Sequence, residues 1–135
     1  MPNNFSIAEL LHSNTAIADG YTEQFQPPVN IISNLQALID NVLQPLRDKL
    51  GIPIYVNCGY RCPRVNAKVG GVANSQHLTG EAADIHTDDN KALFEAIKNS
   101  DLPFDQLIEE GNGQFLWVHV SHSAIGLQRK QVLYL

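Results

Sequence analysis

Residues 75–86 read SQHLTGEAADIH. From Glu81 onward the side chains alternate, with Ala82, Asp84 and His86 on one face and Glu81, Ala83 and Ile85 on the other, the pattern of a β-strand. Ahead of it GGVANS, at 70–75, is a loop by its glycines and small polar residues. His77 therefore ends a loop and Asp84 lies on the strand that follows, with a chain reversal through Thr79 and Gly80 between them. Glycine gives the backbone the freedom to reverse, and Ala82 and Ala83 keep the wall beside Asp84 shallow. Such a segment brings an imidazole and a carboxylate to one point. A His-x6-Asp spacing alone describes a satisfied surface or core histidine equally well, so the surrounding sequence has to decide.

Downstream, DDNKALFEAIKN at 88–99 predicts a helix with an Asp cap and an inner stripe of Leu93, Ala96 and Ile97. DQLIEE at 105–110 and FLWVHVSH at 115–122 predict two strands joined through GNGQ, with a last strand in KQVLYL at 130–135. Upstream, FSIAELLH at 5–12 predicts a short helix opening near Ser6. The longest apolar periodicity, Ile31 to Leu46, predicts a helix with Asn30 as cap, Gly51 as stop and a kink or new turn at Pro45. IPIYVNCGY at 52–60 predicts a strand, and PRVNAKV at 63–69 a helical turn opening with Pro63. Helices first and mostly antiparallel strands after give an α+β fold, a small sheet with helices packed on one side.

The chain has 135 residues, 44% of them hydrophobic and 17% charged, the proportions of one ordinary globular domain spanning 1–135. Its net charge of −5, with nine scattered Lys and Arg, excludes a large nucleic-acid footprint and a polybasic membrane anchor. No run approaches the roughly 18 apolar residues of a membrane span. The N-terminus lacks the basic start and apolar stretch of a secretory signal, so the expected site of synthesis is the cytoplasm. Cys58 and Cys62, in CGYRC, are too few for a disulfide framework or a structural zinc site and are expected as reduced thiols. A monomer is expected.

Hydrolytic zinc enzymes hold the metal through three His, Asp or Glu ligands and leave one position for water. His77 and Asp84 supply two, and His119 in WVHVS is the candidate third because a strand fixes its direction. With SQHLTGEAADIH and WVHVS stand CGYR at 58–61 and VNAKVGG at 65–71. Together they resemble the zinc D-Ala-D-Ala carboxypeptidases, the phage L-alanoyl-D-glutamate endopeptidases and the vancomycin-resistance D-Ala-D-Ala dipeptidases. The Ser-x-His-x-x-Gly-x-Ala-x-Asp pattern falls on Ser75, His77, Gly80, Ala82 and Asp84, and the similarity runs from about Phe5 to the strand bearing His119. The resemblance implies zinc held by His77, Asp84 and His119, substrate contact by Arg61, and hydrolysis of cell-wall peptides containing D-amino acids. Peptidoglycan peptides or muropeptides are the implied partners.

Zinc lowers the pKa of bound water to about 7, and a carboxylate must then carry its proton to the leaving amine. Several of these relatives place that Glu three residues before the last ligand, where this chain has Leu116. Glu109 and Glu110 are the nearest acids. If strands 105–110 and 115–122 pair, Glu110 shares a face with Trp117 and His119 while Glu109 faces away. A tight turn at Asn112-Gly113 would leave Glu110 opposite Phe115, about 13 Å along the strand from His119. A longer loop must therefore shift the pairing by a few residues. Arg61 is expected to bind substrate through its permanent charge and bidentate fork, or else to cap a surface turn. Ser75 joins it at the substrate through the motif, and Trp117 walls the cleft or fills the core. His86 is either an ordinary strand residue or a group orienting a ligand; His122 and His12 are expected at edges. The displaced glutamate keeps a second class open, a zinc-containing binding or structural module of a phage-like particle without catalysis, as the similar fold of the hedgehog signalling domain shows can occur. Release to the cell wall during phage lysis is one expected setting of the enzyme, and a cytoplasmic dipeptidase is the nearest variant.

Overall fold

The structure, a computed structural model, describes residues 4–135. Five strands form one open mixed sheet in the order β1-β2-β4-β3-β5: β1 Tyr55–Cys58, β2 Ala82–His86, β3 Gln106–Glu110, β4 Trp117–Ser121 and β5 Gln131–Tyr134. Three ladders are antiparallel, and β5 runs parallel to β3. Period-two alternation gives the sheet two distinct faces. Ala83, Ile85, Leu107, Val118 and Val120 are fully buried in the core. Asp84, Ile108, Glu110, Trp117 and His119 alternate with them on the other face.

The described residues form six α-helices: α1 Ile7–Leu11, α2 Asn14–Asp19, α3 Val29–Leu38, α4 Gln44–Leu50, α5 Pro63–Lys68 and α6 Asn90–Lys98. The caps are those expected of short polar side chains: Ser6 accepts from the Glu9 N–H, and Asp89 accepts from the Ala92 N–H. Leu93, Phe94 and Ile97 of α6 join Leu35, Leu38, Val42, Leu43 and Leu46 in a single core cluster. No helix among the described residues is long and apolar enough to cross a membrane.

Three local features correct or extend the sequence reading. The long helix starts at Val29 with Pro28 in the capping position, so Asn30 lies inside it. At Pro45 the expected new turn takes the form of a π-helical turn, Ile39–Leu43, which joins α3 to α4 with Pro45 in the first turn of α4. The wider turn absorbs the missing N–H and the ring that would press on the carbonyl four residues back. In 14–28, where no element is predicted from the sequence, α2 is followed by a 3₁₀ turn, Thr22–Phe25.

That turn carries Gln24, which is fully buried. Its amide donates to the Leu11 carbonyl at 2.9 Å and the Tyr60 carbonyl at 2.8 Å, and its oxygen accepts from the Cys62 N–H at 2.8 Å. One side chain thus satisfies three backbone groups, two of them flanking Arg61. Each would otherwise cost about 1–3 kcal/mol. Gln24→Leu is expected to lower stability by at least about 3 kcal/mol in urea titrations; a loss below about 1 kcal/mol would show that water replaces the amide.

Candidate metal centre

Asp84 lies mid-strand in β2, directly across from His119 on β4 and from Cys58 on β1. Its Oδ1 is 3.1 Å from His119 Nδ1 and 3.3 Å from His77 Nε2. The two imidazoles meet edge to face with centroids 5.1 Å apart. His77 reaches this point from a 3₁₀ turn, Gln76–Thr79, rather than from a flexible loop end. Ser75 caps the turn by accepting from the His77 N–H at 3.1 Å. Gly80 closes it at φ +73°, and a Cβ there would lie 2.9 Å from the Ile31 carbonyl oxygen. Glycine is thus demanded twice, by the left-handed backbone and by the approach of the turn to α3.

The His77 Nδ1–H donates to the Gly59 carbonyl at 2.6 Å, which fixes the tautomer and leaves the Nε2 lone pair facing Asp84 and His119. That Nε2 is buried and, although close to Asp84, has no hydrogen-bond partner among the described residues. A cation beside Nε2 would satisfy it, and the oxygen and two nitrogens of Asp84, His77 and His119 form a set suited to zinc. Donor atoms of Cys58, His77 and Asp84 also lie within 4.8 Å of one another. The Cys58 Sγ, however, is 3.9 Å from Nδ1, the nitrogen already engaged with Gly59, so it backs His77 from behind. Both cysteines are free thiols.

Burial opposes a charge on His77, but its pairing with Asp84 and then with Cys58 outweighs that and raises its pKa to about 10. Burial likewise pushes Asp84 up, and its interactions with His119 and then His77 overcome it, holding the carboxyl well below the usual range. Both shifts have one cause, the mutual stabilisation of the Asp84 carboxylate and a charged His77 imidazole.

A cavity of about 530 Å³ opens over the centre and is lined by Arg61, Ser75, His77, Asp84, Glu110, Trp117 and His119. The three candidate ligands thus border it together with Arg61, Ser75, Trp117 and Glu110, whereas Glu109 does not. The hairpin register is Glu110 opposite Trp117 and Ile108 opposite His119, two residues beyond the tight-turn alternative. Phe115 leaves the strand at φ 51° and sets its ring edge-on to Phe94. Glu110 is consequently a diagonal neighbour of His119 on the same face, about 7–8 Å away by strand geometry. Burial, and then the Asp84 charge, raises the Glu110 pKa. Glu109 faces the core, 1% exposed, and its Oε1 accepts from the Gly113 and Phe115 N–H groups at 3.0 and 3.1 Å. Two adjacent glutamates thus have separate tasks, one at the cavity and one pinning the loop.

Other histidines stand apart. His86 stacks on Tyr55 and pairs with Asn57, and His12 bonds Asn14. Sequence reasoning missed Gln76, beside His77, which donates to Asp105 at 3.0 Å while Asp105 holds Arg129 through both carboxylate oxygens. No local pattern marks such a contact between residues 29 and 24 positions apart.

The sequence model of the family described as Peptidase M15 matches residues 3–121. The chain belongs to the peptidase M15 family. Among characterised proteins it is similar to the zinc D-Ala-D-Ala carboxypeptidase of Streptomyces albus G, with 34% identity over 101 residues. That match covers 73% of this chain, which spans 38% of the relative's length.

The proton held at His77 gives this M15 centre a defined pH response. With the folded-state pKa raised to about 10, a metal ion taken up near pH 7–8 must displace that proton. Apparent zinc affinity is expected to rise about tenfold per pH unit there, with one proton released per ion. Calorimetric titration in buffers of different protonation enthalpy measures this; zinc uptake without proton release would refute the protonated imidazole.

Proposed function

We propose that this chain is a zinc-dependent peptidase that hydrolyses bacterial cell-wall peptides containing D-amino acids. In this reading His77, Asp84 and His119 hold the zinc, Glu110 carries the proton, and Arg61, Ser75 and Trp117 receive the substrate. The observation that carries it is the meeting of three donors at one buried point with a carboxylate of raised pKa on the same sheet face. Membership of the M15 family and the similarity to a zinc D-Ala-D-Ala carboxypeptidase support the substrate class.

Bound zinc supplies Lewis acidity and lowers the pKa of water to about 7. The chain's own residues do the rest. Glu110 accepts a proton at its carboxylate and delivers it to the leaving amine, a task suited to a carboxyl whose pKa stands above its ordinary value. Arg61 offers a permanent positive charge to a substrate carbonyl or carboxylate. The Ser75 oxygen is engaged by the His77 N–H, but its own hydroxyl proton remains available to a substrate acceptor. Trp117 offers an apolar wall across from Glu110.

Mass spectrometry of purified muropeptides after incubation with the zinc-loaded protein tests the reaction class. Loss of a terminal D-Ala identifies a carboxypeptidase, and internal cleavage an endopeptidase. Glu110→Gln is expected to keep zinc and fold but to lower turnover at least 10²-fold. Glu109→Gln keeps an oxygen for the Gly113 and Phe115 N–H groups and is expected to stay within a few-fold of the parent. The reverse ranking would move the proton carrier to Glu109. Binding of muropeptides without any cleavage, in parent and variants alike, would replace the enzyme by a binding module.

A further inference from the structure

VNAKVGG stands apart in sequence from every donor at the metal centre, and the geometry points to a specific task for it. We propose that Asn66 and Gly71 are positioning residues that hold the Arg61 guanidinium in the substrate cavity. This rests on Arg61 being the substrate-binding charge.

Asn66 is 5% exposed, and its side chain makes two bonds in opposite directions. Its Oδ1 accepts from Arg61 Nη1 at 3.0 Å, and its Nδ2 donates to the Val72 carbonyl at 2.9 Å. The Asn66 backbone carbonyl accepts from the Gly71 N–H at 2.8 Å, which folds the end of α5 back on itself. The segment 66–72 is thereby closed around the guanidinium by one amide side chain.

Gly71 makes the closure possible. A Cβ there would fall 2.0 Å from Asn66 Oδ1 and 2.5 Å from Arg61 Nη1, inside any permitted contact. Its φ is not in the left-handed region, so the requirement is for space alone. Gly70 differs, since its φ of +76° ends the helix and open space surrounds its Cβ position. The double glycine therefore divides its work: the first turns the chain, and the second leaves room for Arg61.

The backbone at Arg61 is clamped as well, by its own N–H to the His77 carbonyl at 3.0 Å and by Gln24 on either side. Tethering Nη1 to Asn66 then fixes the plane of the fork. Arg61 and Asp84 border both the main cavity and a smaller one of about 370 Å³, so this plane stands at the junction of the two. A displacement of about 1 Å at such a group costs up to about 10²-fold in rate.

A double-mutant cycle tests the assignment. Gly71→Ala is expected to retain its zinc and melt near the parent temperature. Its kcat/KM on muropeptides should fall tenfold or more, toward the roughly 10²-fold loss of Arg61→Ala. In the Arg61→Ala background the same Gly71→Ala change should alter kcat/KM less than twofold. A loss of equal size in both backgrounds means Gly71 acts through the fold rather than through Arg61, and overturns the proposal. If Gly71→Ala does not fold, Asn66→Ala taken through the same cycle decides in the same way. A second readout is independent of catalysis: in the nitrogen-labelled protein Gly71→Ala should shift the Arg61 Nε–H and Asn66 side-chain amide resonances together. An unmoved Arg61 resonance overturns the proposal even if the protein cleaves nothing, whereas a coupled shift without cleavage upholds the clamp and rejects only the peptidase reading.

Discussion

One carboxylate organises this protein. Asp84 is 14% exposed at its side chain, flanked by two imidazoles that are themselves nearly covered, and no Lys or Arg pairs with it. An ionised carboxylate withdrawn from water is costly unless opposite charge and hydrogen bonds surround it. Here the compensation comes from groups that are cationic only when protonated or when they share a metal. In the proposed zinc peptidase a proton shared by Asp84 and His77 and a divalent ion would compete for the same lone pairs. The depressed carboxyl and the raised imidazole are two views of the pairing between Asp84 and its histidines.

The three donors come from different kinds of backbone, and each kind demands its own neighbours. Asp84 and His119 face each other across adjacent strands, so their separation is set by sheet geometry and needs only the correct register. His77 comes from outside the sheet and needs a cap at Ser75, a left-handed closure at Gly80 and an acceptor at Gly59 to aim its ring. This division explains the composition of the opening stretch. Ala82 and Ala83, on opposite faces of the strand that follows the turn, are both fully buried.

Alternation made the sheet faces readable, and with them the grouping of Asp84, Trp117, His119 and Glu110 against Glu109. Period two needs only local sequence. The hairpin register was less accessible, because it depends on Phe115 leaving the strand to meet Phe94 and on Glu109 gripping the loop, both tertiary effects. The parallel β5 was likewise hidden, since KQVLYL says strand but not which neighbour it joins. The π turn before Pro45 reflects packing of Ile39, Val42 and Leu43 into the core, which outweighs the local tendency of proline to end a helix. Least legible were the buried amides. Gln24 looks like an ordinary polar residue of a turn until backbone groups 13, 36 and 38 residues away arrive without partners, and Asn66 like one of a helix until the chain folds back to bring Arg61 and the Val72 carbonyl to it.

Those amides also explain why a charged residue can be held so close to the metal centre without a counter-ion of its own. A carboxylate in place of Asn66 would fix Arg61 equally well but would neutralise it, and the substrate would then compete with an internal salt bridge. An amide fixes geometry and leaves the charge intact. The same logic applies at Glu110, which sits on the cavity face with Trp117 opposite rather than a lysine or arginine. Its burial raises the pKa, whereas a cationic partner would lower it and weaken it as a base. Neutral hydrogen-bond partners and apolar walls thus stand around Arg61 and Glu110 while charge is concentrated on Asp84 between its imidazoles, the distribution that the proposed zinc peptidase requires.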